Sequence, residues 1–152
     1  MNWKPMMSKS EAEEYTRDSY YQGQDFYHGT SRRNAESITS KGIILDSNLV
    51  NSYGNGFYLA FNRYDAMQYA DASEPRLLTV MVRSNNPKIF QSSIEFLRFQ
   101  DRAQIPYDDE QAKAITILLI ERGFDSIEIR GLGTLVIIFE KEQVVTHQLE
   151  QL

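Results

Sequence analysis

The sequence predicts an α+β fold built as a single domain. Strand-like and helix-like segments follow one another without a repeating βα unit, and each strand-like run is short, which argues against a doubly wound parallel sheet. At 152 residues the chain is long enough for one ordinary core and too short for two. No internal repeat, low-complexity run or linker interrupts it, so the expected organisation is an N-terminal helical extension over residues 1–25 and a domain over 26–152.

Each element has a local reason. Residues 8–19 read as a helix, with Ser10 and Glu13 spaced as a capping box, and Gly23 breaks the chain after it. Residues 26–28 form a short aromatic strand ended by Gly29. Thr30 or Ser31 can cap the next helix, whose few apolar positions, Ala35 and Ile38, make it a surface helix stopping at Gly42. Residues 43–56 read as a loop rich in Asn, Ser and Gly, with Gly54 and Gly56 bracketing Asn55. A strand at 57–61 leads to a helix of about two turns over 63–70, capped by Asn62.

The second half continues in kind. Residues 77–82 form a strand closed by Pro87, and Ser92 or Ser93 opens a helix containing Ile94, Leu97 and Phe99. Asp108 or Asp109 caps a longer helix whose Ala112, Ile115, Leu118 and Leu119 share a face, ending at Arg122 and Gly123. Strands at 126–129 and 135–139 follow, joined through residues 130–133, and the tail can add a strand through Val144 and Val145.

Composition narrows the function. The chain is 41% hydrophobic and 24% charged, a globular balance. Sixteen basic against twenty-one acidic residues give a net charge of −5, which disfavours a nucleic-acid binder relying on counterion release but leaves a local basic patch open. With no cysteine and only His28 and His147, thiolate metal sites, disulfides and Cys nucleophiles are excluded and a His-rich metal site is disfavoured. The longest apolar run, 135–139, falls far short of the ~20 residues a bilayer crossing needs. The N-terminus lacks a basic segment followed by an apolar one, so a cytoplasmic location is expected; secretion by a route that reads no such signal leaves no mark in the sequence.

Three segments carry the chemistry. The first runs Phe26-Tyr27-His28-Gly29-Thr30-Ser31 and on through Asn34, Ile38 and Gly42. The second is Tyr53-Gly54-Asn55-Gly56-Phe57-Tyr58-Leu59-Ala60, with Tyr69 eleven residues after Tyr58. The third joins 123–129 to Leu135-Val136-Ile137-Ile138-Phe139 and the terminal Gln143-Val144. Taken singly, His28 reads as a satisfied strand histidine, the tyrosines as core and the glycines as turn residues. Their order and joint placement resemble the ADP-ribosyltransferase superfamily, in its poly(ADP-ribose) polymerase and diphtheria-toxin-like branch, over about residues 26–145.

The resemblance implies a split antiparallel core with short peripheral helices around a cleft for NAD, which is a substrate; no metal is required because NAD carries its own leaving group. It implies that His28 hydrogen-bonds the adenosine ribose and that Gly29 holds the nicotinamide amide through its backbone. Thr30 stands for a family serine, Tyr69 stacks on the nicotinamide and Tyr58 walls the same pocket, with Asn34, Phe57 and Ala60 completing the binding motif. His28, Tyr58 and the position of Leu135 form the catalytic set.

That last position departs from the family. Most active members place a glutamate where this chain has Leu135, next to Thr134, and neither residue carries charge. Some mono-ADP-ribosyltransferases of the family also have a hydrophobic residue there, which permits single transfer but not polymer formation. The alternatives are a domain that binds NAD or ADP-ribose without turnover, and an NAD glycohydrolase. Glu128 is the nearest other carboxylate, and it reads as part of a solvated edge paired to nearby cations; Glu140 and Glu142 read as surface residues. Ala66 is a second departure, standing where polymerases commonly offer a serine, and one missing hydrogen bond costs ~0.5–1.5 kcal/mol. A related RNA 2′-phosphotransfer needs a basic cluster, and only Arg32 and Arg33 lie near the first motif; they equally read as a solvated helix start. The expected partners are NAD and a protein acceptor, a nucleic-acid acceptor being less favoured and a membrane not expected.

Overall fold

The computed structural model describes residues 1–43, 45, 53, 54, 56–131 and 133–152. Most of the loop expected at 43–56, including Asn55, lies outside the described residues, as does Leu132 in the link after Arg130. The fold is α+β, as expected: α1 (Lys9–Tyr15), β1 (Phe26–Ser31), α2 (Arg32–Lys41), β2 (Phe57–Ala60), α3 (Arg63–Met67), β3 (Pro75–Val82), β4 (Pro87–Phe90), α4 (Ser93–Arg102), α5 (Gln111–Glu121), β5 (Ser126–Ile129), β6 (Leu135–Ile138) and β7 (Val144–Gln151). No helix among the described residues is long and apolar enough to cross a membrane.

The strands form one sheet in the order β4-β5-β6-β2-β1-β3-β7. Every neighbouring pair is antiparallel except β4 and β5. Alternation of side chains fills both faces. Phe26, Leu59, Leu78, Val80, Val136 and Ile138 face one side, where Ala35 and Ile38 of α2 cover them. Phe90, Ile127 and Ile137 face the other, under Phe96 of α4 and Ile115 and Leu119 of α5.

Several boundaries differ from expectation. The cap of α1 is Ser8, whose Oγ accepts from the Glu11 N–H while Glu11 Oε1 accepts from the Ser8 N–H. The Ser-x-x-Glu spacing occurs twice here, and the earlier start seats Ala12 and Tyr15 against Met81 and Val145. Gly29 does not end β1, because pairing with β3 continues from Phe26↔Val80 to Ser31↔Pro75. Pro87 opens β4 rather than closing β3, a position where proline's missing N–H is tolerated. In α4 the buried face is Phe96 and Gln100, with Phe99 half-buried and Ile94 and Leu97 exposed. The N-cap of α5 is Glu110 without a side-chain bond, although Asp108 accepts from its N–H at 2.9 Å.

Residues 1–25 are tied to the sheet. Trp3 Nε1 donates to the Val144 carbonyl, the Tyr15 hydroxyl donates to that of Glu142, and Tyr21 enters the first core.

The feature that positions the site is a seam between β1 and β2. Along β3, β1 pairs through six residues; along β2 it pairs at Tyr27↔Ala60 alone. The sheet is therefore continuous but joined at this line by a single registered pair, and it opens beside His28 and Gly29.

Candidate functional site

The seam opens into a cleft of about 540 Å³. His28, Gly29, Tyr58, Ala60, Tyr69 and Leu135, six of the residues singled out in the sequence, line it together. Thr30, Asn34 and Phe57 do not. Thr30 is buried at 7% exposure. Asn34 is exposed in the first turn of α2, where its N–H is capped by Ser31. Phe57 is buried in the core and lies under the His28 ring, with centroids 4.2 Å apart. Along β2 and β6, Tyr58, Ala60 and Leu135 share one face of the sheet, and Phe57 points to the other, where His28 stacks on it.

His28 bridges the seam. Its Nδ1 lies 3.1 Å from the Tyr58 carbonyl oxygen. A carbonyl only accepts, so Nδ1 carries the proton and Nε2 of the neutral ring presents a lone pair. Burial drives the pKa of His28 down to about 4 against a smaller opposing effect of the Tyr58 carbonyl, so the ring is neutral at pH 7. Nε2 is thus fixed as an acceptor, suited to a hydroxyl group.

Gly29 is required by packing. A Cβ built there would stand 1.9 Å from the Ala66 carbonyl oxygen, so α3 closes onto β1 only because residue 29 has no side chain. Ala66, 1% exposed, forms part of the cleft wall.

The two tyrosines have different roles. The Tyr58 hydroxyl donates to the Gly54 carbonyl at 2.7 Å and accepts from the Gly54 and Tyr53 N–H groups at 3.1 and 3.4 Å. Burial raises its pKa. It pins the backbone at Tyr53 and Gly54, of which Tyr53 lines the cleft, and leaves only its ring face to a ligand. At Gly56 a Cβ would meet the Ile138 carbonyl at 2.4 Å, which accounts for the second glycine of the motif. Tyr69 is 79% exposed at the rim, a free aromatic face.

Leu135 is half-buried in the cleft wall, so no carboxylate enters from the start of β6. Glu128 does not supply one, and it is not on a solvated edge. It is 3% exposed in β5, an interior strand, where its Oε1 accepts from the Tyr21 hydroxyl at 2.7 Å and its Oε2 pairs with Arg130 Nε at 2.5 Å. Burial and the Glu128 carboxylate push the Tyr21 hydroxyl far above its usual pKa. Opposite Val136 in the register, Glu128 points to the face away from Leu135. Its pairing with a cation is as expected; its burial is not. Glu140 and Glu142 are exposed, and Arg32 is occupied by Glu36 and Glu74 on the surface.

Tyr27 and Tyr53, which lie within the motifs but carry no expected role, also line the cleft, as do Gln68 and Asp65 outside them. The available signal for Asp65 was its place three residues after Asn62, which reads as an ordinary helix start. Compared with protein-family models and with curated proteins, the chain matches none.

Proposed function

We propose that the chain is a mono-ADP-ribosyltransferase with an ADP-ribosyltransferase-type fold, moving ADP-ribose from NAD to an acceptor with release of nicotinamide. The observation that carries this reading is the convergence of His28, Gly29, Tyr58 and Tyr69 on one cleft at a seam in the sheet. His28 Nε2 accepts a hydrogen bond from the adenosine ribose hydroxyl, and the Gly29 backbone holds the nicotinamide amide where β1 has lost its pairing with β2. Tyr69 stacks on the nicotinamide, and the ring of Tyr58 backs the pocket. An aromatic contact of this kind contributes ~0.5–1.5 kcal/mol beyond its buried area.

The wall at Leu135 supports a second reading, a module that binds NAD or ADP-ribose without turnover. Mass spectrometry of purified protein incubated with NAD and a lysate separates the two. Free nicotinamide with single ADP-ribose adducts, both lost in His28→Ala, supports transfer; NAD recovered intact across several lysates supports the binding module.

A further inference from the structure

Cleaving the bond between nicotinamide and ribose builds positive charge on the ribose, and an O–H or N–H acceptor that attacks there must lose a proton. Both demands call for a carboxylate beside the reacting carbon. Leu135 brings none, and Glu128 points to the other face of the sheet in its own ion pair. Among the described residues lining the cleft one is acidic: Asp65, in the first turn of α3.

The position of Asp65 is fixed from two sides. Its Oδ2 accepts from Asn62 Nδ2 at 2.8 Å, while its N–H donates to Asn62 Oδ1 at 2.8 Å. Across the cleft the turn between β5 and β6 comes so near that a Cβ on Gly133 would stand 3.5 Å from Oδ2. Gly133 leads directly to Thr134 and Leu135, so Asp65 reaches across to the place where β6 begins without a charge. A second depression, of about 510 Å³, shares Gly133 and Thr134 with the cleft and is lined by Asn62 and by the Glu128–Arg130 ion pair, whose carboxylate is already committed to Arg130 and Tyr21. Asp65 therefore stands where the two hollows meet, the second giving an acceptor its approach.

Building on the transferase reading, we propose that Asp65 is the catalytic carboxylate of this cleft, introduced from α3 in place of one on β6. The ribose–nicotinamide C–N bond breaks and its electron pair leaves with the ring, neutralising the pyridinium charge. The acceptor's lone pair forms the new bond to the ribose carbon. Its proton passes to the Asp65 carboxylate and then to water.

The test uses the full chain with NAD and a lysate as the acceptor source, reading nicotinamide release and, separately, NAD affinity. Asp65→Asn is expected to slow release at saturating NAD by about 100-fold while leaving affinity within about threefold. Adding Leu135→Glu to that variant is expected to restore at least about tenfold of the rate. Asp65→Ser, which keeps a side-chain acceptor for Asn62 Nδ2, serves if the amide variant does not fold. An Asp65→Asn rate within about threefold of the parent, or a loss of affinity that accounts for the whole loss of rate, overturns the proposal. A parent chain that binds NAD and releases no nicotinamide overturns the transferase reading itself, and this inference with it.

Discussion

His28 Nδ1 and the Tyr58 carbonyl oxygen lie 3.1 Å apart across the line where β1 and β2 cease to pair. This side-chain bond replaces the backbone ladder that the two strands do not form beyond Tyr27. It also sets the ring's tautomer, so one contact closes the seam and leaves Nε2 of a cleft-lining histidine as an acceptor.

The first prediction concerns pH. The folded-state pKa of His28 is lowered to about 4 from an ordinary 6.5. As pH falls, the unfolded chain takes up this proton first. The contribution is therefore complete above pH 6.5 and is lost progressively toward pH 4, by up to about 3 kcal/mol. Urea midpoints of the parent minus those of His28→Gln, which retains an amide donor for Tyr58, should fall over that window. A flat difference contradicts the assignment.

Gly29→Ala should destabilise the fold, because the new methyl meets the Ala66 carbonyl and displaces α3 from β1. Overpacking of this kind costs about 1–3 kcal/mol, a fall in melting temperature of several degrees for a domain of this size. Thermal unfolding followed by circular dichroism measures it.

Tyr58 and Tyr69 should separate stability from binding. Tyr58→Phe strips the buried Gly54 N–H of its partner and should cost about 1–3 kcal/mol in stability. Tyr69→Ala, at an exposed rim position, should leave stability within about 0.5 kcal/mol. It should nevertheless weaken NAD binding by about three- to tenfold, the equivalent of one aromatic contact. Paired unfolding and binding titrations of the two variants check this.

Glu128→Gln should lower stability by about 1–3 kcal/mol, since it weakens the bonds to Tyr21 and Arg130 in a buried site. Because Glu128 lines the neighbouring hollow and not the cleft itself, NAD affinity should remain within about twofold. A selective loss of nicotinamide release in this variant would return Glu128 to consideration as the reacting carboxylate.

Local signals in the sequence mark most elements, and they fail where tertiary pairing overrules them. Gly29 looks like a strand end, yet β3 holds it in a six-residue ladder. Pro87 looks like a stop, yet β5 recruits it as the first residue of a parallel strand. The alternation Ser126, Glu128, Arg130 is that of an exposed edge, but β4 flanks β5 and Tyr21 covers Glu128. None of these partners is near in sequence.

The cleft was legible in part for the same reason. His28, Gly29, Tyr58, Ala60, Tyr69 and Leu135 come together because β1, β2, the start of β6 and the turn after α3 converge on the seam, the helix expected to run to residue 70 ending at Met67. Thr30, Asn34 and Phe57 belong to the same motifs but do not line it, Thr30 and Phe57 being buried and Asn34 lying on the exposed first turn of α2. Asp65 escaped notice because its residue type at a helix start is ordinary, and only the approach of the Gly133 turn gives it a second setting.

The central claim is that the seam beside His28 and Gly29 is a site for NAD. Calorimetric titration of NAD into the full chain and into His28→Ala tests it most directly. Saturable one-to-one binding by the parent, weakened at least about tenfold in the folded variant, is expected. Absence of binding by the parent, or equal binding by both, contradicts it.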